Sequence, residues 1–133
     1  MMKYKVRKWL EKHVDLLKTV EASLGSKPVE KPEFDFTVGG AFNPFGNYQQ
    51  FLALAQAFED TGVRAYRGQA GNLIKNGDLL TAALQIHSVE ARHASEIRRL
   101  RCLKGWITQD QSGMGIPAET QAVYNGEDNL IQA

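Results

Sequence analysis

The sequence predicts an all-α fold: an antiparallel bundle of three long helices with one long crossover and an irregular C-terminal tail. Apolar residues recur at three- and four-residue steps through residues 3–24, 47–75 and 78–103, the period of a single helical face. The first and second of these stretches are separated by residues 26–46, rich in Pro, Gly and Phe, which break helix. Acids and imidazole interrupt the inward stripes of the second and third stretches. That third observation points to a function.

At 133 residues the chain is expected to form one domain, 1–133, with a modest core. Its net charge of +1 gives no bulk field that would draw nucleic acid. Basic residues crowd residues 1–31, whereas residues 105–133 hold acids and no Lys or Arg. The single cysteine, Cys102, excludes an internal disulfide and is expected to pack at a helix end. No apolar run approaches the roughly 20 residues of a membrane span, and no signal-peptide core is visible. A cytoplasmic protein is expected from this chain, or an exported one if it is an N-terminally truncated fragment.

Residues 3–24 place Val6, Leu10, His13, Leu17, Val20 and Leu24 on one stripe. Gly25 stops this helix and Pro28 prevents its resumption. His13, the polar member of the stripe, is either a core histidine or a ligand. The connector 26–46 can reach roughly 70 Å, well beyond the roughly 33 Å of a 22-residue helix, so it can run the length of a bundle. Its Phe34, Phe36, Phe42 and Phe45 are expected to plug the bundle surface. Asn47, with Gln50 three residues later, reads as a helix start, and Asn43-Pro44 as an earlier candidate.

The central helix is expected to reach about Lys75, with Leu52, Ala55, Glu59, Gly62, Tyr66 and Leu73 inward. Gly62, Gly68 and Gly71 are expected to allow close helix approach. Tyr66 reads either as a hydrogen-bond donor to a ligand or as a core tyrosine. Asn76-Gly77 makes a tight turn and Asp78 caps the last helix, so the two helices should be antiparallel neighbours. The last helix turns Leu80, Ala83, Ile86, Glu90, His93, Ile97 and Leu100 inward. Arg98, Arg99, Arg101 and Lys104 suit the negative end of its dipole, and no aromatic platform accompanies them as nucleic-acid binding would require. Beyond Gly105 the chain reads as a tail anchored by Trp106, Ile107, Ile116, Val123 and Tyr124.

An unpaired carboxylate is costly to bury, so an inward acid is paired, exposed or bound to a metal. Glu90-Ala-Arg-His93 has the Glu-x-x-His spacing that puts both side chains on one helix face, and Glu59 adds a carboxylate from the neighbouring helix. This is the ligand set of half a di-iron or di-manganese carboxylate bundle. His87, three residues before Glu90, is an alternative ligand or a supporting group, and Arg92 an outward charge or a partner for a ligating acid.

Through AFEDTGVRAYRG and QIHSVEARHASEIRRLR the sequence resembles the ferritin-like domain family, in the bacterial and fungal branch that includes desiccation-related proteins. The likeness covers roughly residues 6–129, and HVDLLKTV and VYNGEDN also match. It implies a ferritin-like topology and adds His13 to the expected metal ligands Glu59, Glu90 and His93. Two departures stand out. Leu10 occupies the position three before His13 where the family has Glu, and the family's first helix, with its own carboxylate, would precede residue 1. The reduced set suits one ion, iron or manganese with zinc possible, better than two.

The expected function is therefore metal binding of the di-iron/di-manganese carboxylate type with little or no redox turnover, since turnover needs open positions and usually a second ion. The alternative is a metal-free helical domain acting through self-association. Lacking a first helix, the bundle would leave an apolar groove that a homodimer could cover. No nucleophile elbow, P-loop, dinucleotide fingerprint or Cys-x-x-Cys pair is present.

Overall fold

The computed structural model describes Lys18 and residues 33–129. The chain divides into two units, Met1–Phe34 and Asp35–Ala133, and the second holds all the helices whose bounds are described. Apart from Lys18, the predicted helix over 3–24 lies outside the described residues, and His13 with it. The described part is all-α, with no strand among its residues and only an isolated bridge between Thr108 and Gln111. None of its helices is long and apolar enough to cross a membrane.

Two helices carry the unit: α1, Tyr48–Gln69, and α2, Gly77–Leu100. α1 begins where the sequence places its start, because the Asn47 side chain accepts hydrogen bonds from the Gln49 and Gln50 amides at 3.0 and 3.1 Å. Gln50 reaches back to accept from the Asn43 amide at 2.7 Å, tying the connector to the helix start. The far end falls short of Lys75. α1 gives way after Gln69 to a 3-10 turn, Ala70–Leu73, in the stretch that Gly68 and Gly71 weaken. A Cβ on either of these two glycines would meet nothing within 4 Å, so neither serves close helix approach.

α2 starts one residue earlier than expected. Asn76 is the cap, its side chain accepting from the Leu79 amide at 3.2 Å, while Asp78 sits in the first turn, where its charge complements the dipole. The helix stops at Leu100 rather than near residue 103. Leu103 N–H donates to the Arg98 carbonyl and Cys102 N–H to the Arg99 carbonyl, both at 2.9 Å, with Cys102 in the left-handed region at φ 60°. That is a Schellman stop with cysteine in the place glycine favours, and it leaves Cys102 exposed rather than packed.

The two helices run antiparallel. As α1 is followed backward from Val63 through Gly62 and the adjacent Asp60 and Glu59 to Gln56, its partners on α2 advance from His87 through Glu90 and the stretch that holds His93 and Arg98 to Arg101. Leu52, Ala53, Leu54 and Ala57 from α1 and Ala83, Ile86 and Ala94 from α2 form the apolar core. Burying each of the larger three, Leu52, Leu54 and Ile86, contributes about 1.5–3 kcal/mol.

In the connector, the Asp35 carboxylate accepts from the Thr37 and Gly39 amides and the Thr37 hydroxyl, which together hold its pKa low, the hydroxyl most. Phe36 meets Phe45 and Phe58 edge to face, with centroids 6.2 and 6.0 Å apart, closing the connector onto α1. Phe45 itself is largely exposed; Pro44 is the buried residue there.

The tail forms no α-helix, only a 3-10 stretch, Ala118–Val123. Polar groups hold it as well as the apolar anchors expected of it, of which Ile107, Ile116 and Val123 are half-buried. Gln56 Nε2 donates to the Ser112 carbonyl at 3.1 Å and Arg64 to the Val123 carbonyl at 2.6 Å, while Arg101 donates to the Met114 carbonyl. Of the expected anchors, Tyr124 is completely buried and Trp106 is 66% exposed.

Candidate metal centre

Glu59 lies in the middle of α1, and Glu90 and His93 lie one helical turn apart on α2. Antiparallel pairing brings all three to the same level. His93 Nδ1 stands 3.1 Å from Glu59 Oε2 and 3.4 Å from Glu90 Oε2. One ligand atom from each residue lies within 4.8 Å of the other two. Glycine at residue 62 leaves room for this approach, because a Cβ there would lie 3.3 Å from Glu90 Cγ and 3.6 Å from its Cδ. Gly62 is thus the one central glycine that does what the sequence suggests.

The site is partly sheltered: the Glu90 side chain is 17% exposed, that of Glu59 25% and that of His93 43%. Burial, then a hydrogen bond with Glu90, then the charges of Glu90 and Asp60 push the Glu59 carboxyl up to about 8. Crowding of this kind is what a cation would relieve, since its charge would offset both carboxylates. Donors around an ion with bonds near 2.1 Å are at most roughly 4.2 Å apart, close to the spacing within this group. Two carboxylate oxygens and one imidazole nitrogen, with no thiolate, suit Mn²⁺ or Fe²⁺ and accept Zn²⁺. The residues present fit such an ion.

Of the four ligands the sequence suggests, Glu59, Glu90 and His93 are brought together, and His13 lies outside the described residues. His87 is not part of the group. Its Nδ1–H donates to the Val63 carbonyl at 2.9 Å, so it bridges the helices instead. Arg92 is exposed. Tyr66 is near enough for Glu90 to act on it: burial first and the Glu90 charge second push its hydroxyl pKa up.

Sequence reasoning missed a second polar cluster, which lies beside the first. Asp60 Oδ2 accepts from Arg98 at 2.5 Å, from the Tyr124 hydroxyl at 2.8 Å and from Gln56 Nε2 at 3.5 Å. Asp60, Arg98, Gln56 and Tyr124 are all buried. Arg98 is therefore an interior ion-pair partner, not a solvated cation at a helix end. The available signal was Gln56, Asp60 and Arg64 at four-residue steps, a polar stripe on α1 with an arginine in reach on α2.

The family model of the ferritin-like domain matches residues 5–102, which include all of α1 and α2. No curated protein and no solved structure matches the chain.

Proposed function

Since the chain belongs to the ferritin-like domain family, we propose that it is a metal-binding helical domain in which Glu59, Glu90 and His93 hold an iron or manganese ion. One observation carries this reading: donor atoms from three residues on two helices lie within 4.8 Å of one another. When bound, the ion supplies positive charge and a Lewis-acidic centre. The chain's own part is to present two carboxylates and the His93 Nδ1, to leave Glu90 room beside Gly62, and to give up the Glu59 proton as the cation enters. Three ligands from the described residues are few for paired ions, so we assign the domain binding rather than redox turnover.

Elemental analysis of protein purified without chelator, beside Glu90→Ala, tests this. Near-stoichiometric iron or manganese in the wild type and a trace in the variant is the expected result. Equal traces in both would remove the reading and favour the metal-free alternative, in which self-association persists unchanged in chelator.

A further inference from the structure

We propose that Asp60 and Tyr124 are positioning residues for the metal centre: the tail, beyond the stretch the family model matches, braces α1 against α2 through the Asp60 carboxylate and so sets Glu59 against Glu90 and His93. The inference rests on reading those three residues as ligands. Asp60 directly follows Glu59, about 100° further round α1. Arg98 lies five residues beyond His93 on α2. The 2.5 Å ion pair between them therefore joins the two ligand-bearing helices next to the ligands.

An apolar contact at this place would hold the helices together without fixing their register. A charge-assisted hydrogen bond is directional, and a slip of one residue, about 1.5 Å, would break it. Tyr124 makes the tail part of this joint. Its ring is completely buried, and its hydroxyl donates to the same Asp60 oxygen that Arg98 holds. Gln56 completes the joint, donating to Asp60 at 3.5 Å and to the Ser112 carbonyl of the tail, and accepting from Arg101 just past the end of α2. One buried carboxylate oxygen is thus approached from α1, from α2 and from the tail.

Two readouts on the full chain test the brace: Mn²⁺ affinity, and the His93 ring signals in chelated protein followed by NMR at fixed pH. Tyr124→Phe keeps the ring and removes the hydroxyl. It is expected to bind Mn²⁺ about tenfold more weakly and to shift the His93 signals before any metal is added. Asp60→Asn, of the same size, should do the same, so either variant that folds decides the matter. Asn72→Ala removes an exposed contact with Gln69 at the far end of α1, away from Asp60 and the tail, and should leave both readouts as in wild type. Wild-type affinity with unmoved His93 signals in the folded variants, even at a lower melting temperature, overturns the brace. So does Asn72→Ala weakening binding as much as Tyr124→Phe. If the wild type takes up no Mn²⁺ but Tyr124→Phe still moves the His93 signals, the ligand reading falls and the brace stands.

Discussion

Gly62 on α1 faces the side chain of Glu90 on α2 so closely that a methyl group at position 62 would lie 3.3 Å from Glu90 Cγ. A helix interior ordinarily disfavours glycine by roughly 1 kcal/mol relative to alanine. The two facts pull Gly62→Ala in opposite directions, which makes the variant informative. The helix gains propensity while Glu90 is pushed away from Glu59 and His93. We expect a melting temperature that changes little or rises, together with metal affinity reduced about tenfold or more. Calorimetry and Mn²⁺ titration on one preparation would check this, and undiminished affinity would show that Glu90 does not need the space.

The Glu59 carboxyl gives the metal-free protein an unusual pH response. Its folded value, about 8, lies above the 4.5 of an unperturbed side chain, chiefly through burial and then through Glu90. Between those two values the folded chain keeps a proton that the unfolded chain has released, so stability falls as pH rises through this window and is greatest below it. Glu59→Gln, permanently neutral and of the same shape, should flatten the slope and melt higher than wild type at pH 8. Melting curves in chelator from pH 5 to 8 measure it; parallel profiles for the two proteins would show that Glu59 is not the group responsible.

The Glu59, Glu90 and His93 cluster was legible in the sequence because it obeys helix periodicity: Glu90 and His93 share a face by spacing alone, and Glu59 follows from the stripe of the preceding helix. The start of α1 was legible for a similar reason, since Asn47 carries its own cap, whereas α2 is capped by Asn76 and not by the Asp78 that the sequence suggested. What periodicity could not supply was the second buried face of α1. Gln56 and Asp60 look like solvated residues until a tail distant in sequence brings Tyr124 to them, and Arg98 looks like a dipole cation until Asp60 is seen opposite. Nothing local encodes that pairing. The stop of α2 was missed because cysteine is a rare occupant of the left-handed position that glycine usually marks.

Cys102 offers a test of that stop. A non-glycine residue in the left-handed region carries a cost of about 1 kcal/mol or more, and Cys102 is exposed, so no packing offsets it. Cys102→Gly should raise stability by about 1 kcal/mol and leave metal binding as it was. Cys102→Val, branched at Cβ, should lower it. Denaturant midpoints for the three proteins check the order Gly, Cys, Val; any other order would mean that the tail, not the left-handed residue, sets where α2 ends.

The buried ion pair makes the sharpest claim on stability. Asp60 and Arg98 are 4% and 5% exposed, and their contact is 2.5 Å. Removing one partner strands a charge in the interior, a change that costs about 3–5 kcal/mol, whereas replacing both with apolar groups of similar size can be nearly neutral. Arg98→Met alone should therefore destabilise severely, because among the described residues Asp60 then keeps Tyr124 and Gln56 as neutral donors. Asp60→Leu alone should do likewise through the stranded guanidinium. The double variant should recover most of the loss, leaving a smaller deficit from the unpartnered Tyr124 hydroxyl and Gln56 amide, about 1–3 kcal/mol. A double-mutant cycle by denaturant unfolding reads the coupling directly. Additive losses would mean that solvent reaches the pair in solution. Strong coupling with full recovery, but with metal affinity still reduced, would separate the two roles of Asp60: holding the fold together, and holding Glu59 in place.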